Sequence, residues 1–234
     1  MQVNRPLRDE FSTVLDGLPW DVALLQEAPP TWHPALRERC SAVGALGLTS
    51  RNELGRLRAL AARANPDLIA SNEGGSNMVL VRAPGSIEEV RHVRLATRPE
   101  RRALLLARVA PPGGTPLAVA CMHLSVGSTG TGVAEVERAA RLAVDYAGDL
   151  PLLFGGDLNL REREHPDAFA RLREQFGLAG ATAPGAIDHL LVRGLGVLDA
   201  PMALPAEARE LRVEGARSLR LSDHAPVVGR FEVR

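Results

Sequence analysis

The chain of 234 residues is long enough to bury a real core, and 45% apolar with 24% charged residues is ordinary globular composition. Its 28 basic residues balance 28 acidic ones, which excludes capture of a polyanion by bulk charge; every basic residue is Arg, which excludes a Schiff-base or phosphate-loop lysine. No apolar stretch reaches the length of a membrane span, the first ten residues lack the apolar core of a signal peptide, and Cys40 and Cys121 have no CxxC spacing. The expectation is a cytoplasmic monomer with both cysteines reduced and buried.

Residues 6–18 read as a helix, with Pro6 in the first turn and Leu7, Phe11, Val14, Leu15 and Leu18 on one face. Residues 21–27 read as a short buried strand ending in Gln26-Glu27 and stopped by Ala28-Pro29-Pro30. Helices are expected over 32–43 and 50–64 with a loop at 44–49, then an extended segment at 66–70 and a polar turn at 71–77. Four strands follow, at 78–82, 90–96, 103–110 and 117–123. Their short connections predict antiparallel pairing, and the arginines between 98 and 102 read as a solvated hairpin tip. Residues 132–146 form an amphipathic helix, and 150–154 a buried strand that breaks at Gly155-Gly156. A helix at 165–176 leads through an Ala/Gly/Pro-rich loop to a strand at 186–193, and 221–233 is a polar loop feeding a last strand. No boundary, repeat or low-complexity tract interrupts the chain, so residues 1–234 read as one domain with mixed sheets inside and helices outside.

Five apolar stretches end in side chains able to bind a metal or a phosphate: Glu27, His123, Asp157 with Asn159, Asp188 beside His189, and Asp223 with His224. Each has a plain structural explanation. Glu27 fits a solvated strand-end acid, His123 a hydrogen-bonded structural histidine, Asp188-His189 a surface pair and Ser222-Asp-His224 a turn. Taken singly, only the Asp157 stretch outweighs that explanation; five together in one chain are far less expected by chance. If 157–159 is extended, Asp157 and Asn159 point to one side and Leu158 to the core.

Gln26-Glu27, His123-Leu124, Gly156-Asp-Leu-Asn159, Ile187-Asp188-His189 and Ser222-Asp-His224-Ala-Pro-Val resemble, in order, the signature stretches of the endonuclease/exonuclease/phosphatase superfamily. The resemblance covers nearly the whole chain. It implies an α/β fold, a four-layered α/β/β/α sandwich of two mixed sheets packed face to face, with the site at one edge.

Phosphodiester hydrolysis needs neutralised phosphate charge, an activated water and a stabilised leaving oxygen. Mg²⁺ or Mn²⁺ would take Glu27 as first ligand and Asp223 as a second or outer one. By resemblance, Asp188 orients His224, which acts as general base or phosphate contact; Asp157 orients or deprotonates water; Asn159 holds a phosphoryl oxygen; His123 contacts phosphate or assists the leaving group. Asp157→Ala is expected to stop turnover and spare the fold, the acid facing solvent. A serine relay through Ser222-Asp223-His224 fails because adjacent residues cannot line up in sequence. Zinc is disfavoured by the lack of a close-spaced histidine pair.

The family's first strand ends in an Asn that reaches the metal. Here Asn4 either fills that place on a three-residue strand or the first strand lies outside this sequence; so short a strand supports a central position poorly, which favours the second. Met122 stands where many members have Thr. Aromatic content of 3% offers no platform for stacking bases. The leading expectation is a metal-dependent phosphohydrolase, a nuclease on DNA or RNA acting by in-line attack of water. The alternatives are a phosphatase or phosphodiesterase on a small or lipid ester, and a non-catalytic binding module.

Overall fold

The computed structural model describes residues 7–49, 75–97, 101–126, 131–180, 182–213 and 217–233. In chain order these form α1 (Arg8–Gly17), β1 (Val22–Ala28), a 3-10 turn (Pro30–Trp32), α2 (His33–Arg39), β2 (Ala42–Leu48), β3 (Ser76–Arg82), β4 (Ser86–Ala96), β5 (Arg102–Ala110), β6 (Leu117–His123), α3 (Thr131–Ala147), β7 (Leu152–Asp157), α4 (Pro166–Phe176), β8 (Asp188–Arg193), β9 (Leu195–Ala203), a second 3-10 turn (Ala206–Arg209), β10 (Glu210–Val213), β11 (Arg217–Arg220) and β12 (Val227–Val233).

Alternation along the strands builds the layers. β4-β5-β6-β7-β8 form a five-stranded sheet and β1-β3-β2 a three-stranded one. On one face of the larger sheet Leu104, Ala120, Met122 and Phe154 cluster with Val136, Ala140 and Ala143 of α3 and with Phe169 and Leu172 of α4. On the other face Leu105, Val119, Cys121 and Leu153 meet Val79 and Val81 of the smaller sheet. Outside that sheet, Met78 and Leu80 pack with Leu15 of α1 and Leu36 of α2. Helices, two sheets and helices thus stack as the expected α/β/β/α sandwich. The five-stranded sheet is mixed, because α3 carries the chain from β6 to a parallel β7, whereas the described pairs of the smaller sheet are all antiparallel. β12 pairs with β9, and β10 with β11.

The expected α1, α3 and α4 are present. Two buried free cysteines are also as expected. α4 begins with Pro166 in its first turn and ends at Gly177, whose φ of +68° lets the amides of Gly177 and Leu178 close on Arg173 and Leu172.

Several local expectations are overturned. The helix expected over 32–43 stops at Arg39; Ser41 turns left-handed (φ +48°), and the span from 42 joins β2, paired with β3. Gly44 suits a crowded strand, since a Cβ there would lie 2.6 Å from His33 Nε2 and 2.7 Å from Leu80 Cδ2. β3 starts inside the expected polar turn, with Ser76 and Asn77 fully buried. β3 and β4 enter different sheets despite their short connection, so they are no hairpin. β7 does not break at the glycines but runs through them to Asp157. β9, β10 and β11 lie where no strand was expected. The helix expected at 50–64, the segment at 66–70 and Asn4 lie outside the described residues. Among the described residues no helix is long and apolar enough to cross a membrane.

The glycines of β7 are there for want of space. A Cβ on Gly155 would sit 2.6 Å from the His189 carbonyl oxygen, and one on Gly156, at φ +127°, 2.1 Å from the Met122 carbonyl oxygen. Gly156→Ala should therefore cost at least about 3 kcal/mol of unfolding free energy. Gly17→Ala, with nothing within 4 Å of the added methyl, should be neutral or stabilising by up to about 1 kcal/mol. Urea unfolding of the two variants beside the parent checks both.

Candidate active site

Strand parity sets the row on which the site is built. Residues 119 and 121 of β6, 153 of β7 and 192 and 190 of β8 face the gap between the sheets. The next positions of the same parity, His123, Asp157 and Asp188, therefore face it too. The ladders pair His123 with Asp157 and Asp157 with Asp188, so the three stand side by side across adjacent strands at one end of the sheet. His123 Nε2 lies 3.4 Å from Asp157 Oδ2.

Asp157 is 7% exposed, so it does not face solvent as expected; its Oδ1 accepts the Asn159 amide at 2.9 Å. Asn159 is left-handed (φ +52°), which removes the extended geometry expected for 157–159, although Leu158 is fully buried as expected. The Asn159 side-chain amide donates to the Leu124 carbonyl at 2.9 Å and ties the loop after β6 to the loop after β7. From the helix side, buried Glu135 of α3 accepts both the backbone amide and the hydroxyl of Ser125, at 2.9 Å each.

The facing half of the molecule adds two groups. The pairing of β1 with β3 shifts between Leu25 and Ala28, and Glu27 takes φ +55° there. This bulge re-aims a strand-end side chain: Glu27 is exposed and its Oε1 lies 3.4 Å from His123 Nδ1. Its neighbour Gln26 turns inward to Cys121, 3.4 Å away. The loop before β12 brings His224, whose Nδ1 donates to Asp188 Oδ2 at 2.8 Å. That loop is pinned by Arg209, whose carbonyl accepts the Leu221 amide at 2.9 Å and whose guanidinium donates to the Asp223 carbonyl. Ser222 Oγ accepts the His224 backbone amide at 3.1 Å, a turn contact rather than a serine relay.

Among the described residues, Asp157, Asp188 and His224 form one group whose ligand atoms lie within 4.8 Å of one another. Glu27 joins that group's edge through His123, while Asp223 is exposed and its carboxylate stays outside it. His189 is buried rather than part of a surface pair: its Nδ1 accepts the Thr182 amide at 3.2 Å and its Nε2 donates to the carbonyls of Leu160 and Ala186, 3.0 Å each. It braces the backbone behind Asp188.

Charge follows the crowding. Burial first, and then the Asp188 carboxylate, push Asp157 up to about 6. A cation between the two acids would relieve this repulsion, so the carboxylate-rich group fits a divalent ion. Burial, then Arg102 and His224, push His123 down to about 4. Burial also presses on His224, but Asp188, Asp157 and Asp223 outweigh it, and the net shift is upward.

Sequence reasoning missed Arg102. It is not part of a solvated tip: it is 6% exposed, begins β5 and places Nη1 3.0 Å from His123 Nδ1. The apolar run Ala103-Leu-Leu-Leu106 directly after it was the available sign that Arg102 belongs to a strand.

The model of the Endonuclease/Exonuclease/phosphatase family matches residues 3–224. The chain belongs to this family. Family membership supports a metal-dependent hydrolase of phosphate esters, of the nuclease or phosphatase type. Comparison with curated proteins finds no match. Among solved structures, the chain is similar to an endonuclease/exonuclease/phosphatase family protein from Bacteroides thetaiotaomicron (15% identity over 97% of this chain and 90% of that one, TM-score 0.71). It is also similar to the human Nocturnin catalytic domain with bound sulfate (15%, 91% and 80%, 0.60) and to D. rerio TDP2 complexed with single-strand DNA product (17%, 91% and 86%, 0.61). At these identities the likeness establishes the shared fold.

Asp188→Asn should remove the largest contribution that raises the His224 pKa and leave only Asp157 and Asp223 to oppose burial. An NMR titration of the metal-free protein should then find the His224 pKa lower in the variant than in the parent.

Proposed function

We propose that the protein is a divalent-metal-dependent phosphodiesterase acting on nucleic acid, with Mg²⁺ or Mn²⁺ as its ion. The observation that carries this reading is the row His123–Asp157–Asp188 with His224 hydrogen-bonded to Asp188 at 2.8 Å.

Asp188 fixes His224 with its proton on Nδ1 and leaves Nε2 toward the site. Because its pKa is raised by the site carboxylates, His224 keeps its proton to higher pH than an ordinary imidazole, and its charged ring suits a phosphoryl oxygen. Asp157, buried and pushed up to about 6, accepts a proton readily once ionised; it orients the attacking water and takes its proton. Asn159 spends one amide hydrogen on Leu124, and its second is available to a phosphoryl oxygen. His123 contacts the phosphate or the leaving oxygen. Glu27 and the carboxylates of Asp157 and Asp188 are the groups that would hold cations, with Asp223 as an outer contributor. A bound divalent ion supplies charge neutralisation of the phosphate and of the departing oxygen.

Nucleic acid is favoured by the TDP2 neighbour, which is complexed with single-strand DNA product. With 3% aromatic residues, recognition would rest on the phosphodiester backbone rather than on stacked bases, so sequence preference should be weak. That same scarcity favours a second reading, a small or lipid phosphate ester. We place the protein in the cytoplasm as a monomer.

The purified protein, given Mg²⁺ or Mn²⁺, should cleave plasmid DNA, RNA or bis-p-nitrophenyl phosphate, and EDTA should stop it. Asp157→Asn, which preserves shape, should lower turnover at least about 100-fold with an unchanged far-UV spectrum. The rate should rise with pH through an acid limb at or below about 6, because a bound cation only lowers the Asp157 pKa, and fall again as His224 loses its proton. Cleavage of the small ester without cleavage of either nucleic acid would favour the second reading. Full activity in Asp157→Asn would remove Asp157 from the mechanism.

A further inference from the structure

Two histidines face one another across the site, and their partners differ in kind. His224 Nδ1 meets a carboxylate, so it is a donor. His123 Nδ1 meets Arg102 Nη1 at 3.0 Å, in a contact where both residues are 6% exposed. A guanidinium has only N–H groups and no acceptor, and it does not lose its proton in a protein. An N–H on His123 Nδ1 would therefore point hydrogen against hydrogen in a buried place.

We propose that Arg102 is a positioning residue that fixes His123 as the Nε2–H tautomer and so makes His123 a hydrogen-bond donor toward the space beside Asp157.

The groups around the ring agree with this assignment. Nε2 lies 3.4 Å from Asp157 Oδ2, where its N–H finds a carboxylate acceptor and, with substrate bound, a phosphoryl or leaving oxygen. Glu27 Oε1 lies 3.4 Å from Nδ1, farther away than Arg102 and on an exposed side chain. With the Nδ1 lone pair directed at Arg102, Glu27 makes no hydrogen bond to the ring and keeps its carboxylate for a cation. The opposite tautomer would give Nδ1–H to Glu27, set its hydrogen against Arg102, and leave the Nε2 lone pair facing the Asp157 carboxylate. Two contacts would worsen for one gained.

The consequence is a division of labour. His123 offers a fixed N–H and never accepts a proton from water, because its free lone pair is covered by a buried cation. His224, anchored through Nδ1–H to Asp188, turns Nε2 to the substrate. The tautomer assignment stands on geometry alone; the catalytic use of the Nε2–H rests on the phosphodiesterase reading.

The test is a long-range ¹H–¹⁵N correlation spectrum of the metal-free full chain, with the His123 ring assigned by its loss in His123→Gln. The expected pattern is a protonated Nε2 and an unprotonated Nδ1. A protonated Nδ1 in the parent would overturn the proposal whether or not any variant folds and whether or not the protein hydrolyses any ester. Arg102→Met should let the ring populate the Nδ1–H form and should lower kcat on bis-p-nitrophenyl phosphate by about 10–100-fold, the usual range for a partner that orients a site residue. Arg102→Lys, which keeps a cationic donor, should restore the Nε2–H pattern and most of the kcat. A pure Nε2–H ring in Arg102→Met would show that Arg102 does not set the tautomer.

Discussion

The site depends on how closely three backbones meet at the end of one sheet. β6, β7 and β8 approach at Gly155-Gly156 with no room for a side chain, the carbonyls of Met122 and His189 occupying the places where Cβ atoms would stand. This approach lets β7 stay in register with both neighbours as far as Asp157, and the register sets His123, Asp157 and Asp188 in one row. Any residue but glycine would push the strands apart before that row is reached. The fold makes the site at the one edge where the inter-sheet core runs out and three polar side chains replace its apolar ones.

The rest of the arrangement braces that row. Asn159 and Glu135 hold the loop after β6 from two sides, His189 ties the backbone after β7 to that before β8, and Arg209 holds the loop that carries His224. Two of the described non-glycine residues with positive φ are Glu27 and Asn159, both at the site. Left-handed backbone of this kind costs free energy and is kept where the surrounding structure over-determines it. The bulge under Glu27 and the turn at Asn159 are such places, and each re-aims a polar side chain that regular strand geometry would have directed elsewhere.

Much of this was legible in the sequence because it rests on period-two alternation and on strong punctuation. The apolar runs ending at Glu27, His123 and Asp157 gave β1, β6 and β7, and the periodic apolar faces gave α1, α3 and α4. β2 was misread because Ala42-Val-Gly-Ala-Leu-Gly-Leu48 continues the apolar character of the helix before it, and only pairing with β3 makes it a strand. The glycines of β7 read as a break because a turn and a tight strand contact both call for the same residue. Arg102 was misplaced because a run of arginines looks solvated until a distant histidine is found to need one of them. The Glu27 bulge has no local signal at all; it is set by the ladder to β3. Asn4 and the segment from 50 to 74 lie outside the described residues, so those expectations stay where the sequence left them.

The most direct test of the central claim, that the polar row with His224 held beside it forms one cation-binding centre, is paramagnetic broadening by Mn²⁺. Substoichiometric Mn²⁺ should broaden the ring signals of His224 and His123 first and leave those of His33, His92 and His165 sharp. Selective loss of the two site histidines, abolished in Asp157→Asn with Asp188→Asn, is the predicted result. Sharp His224 and His123 signals at saturating Mn²⁺, or uniform broadening of all six histidines, would contradict it.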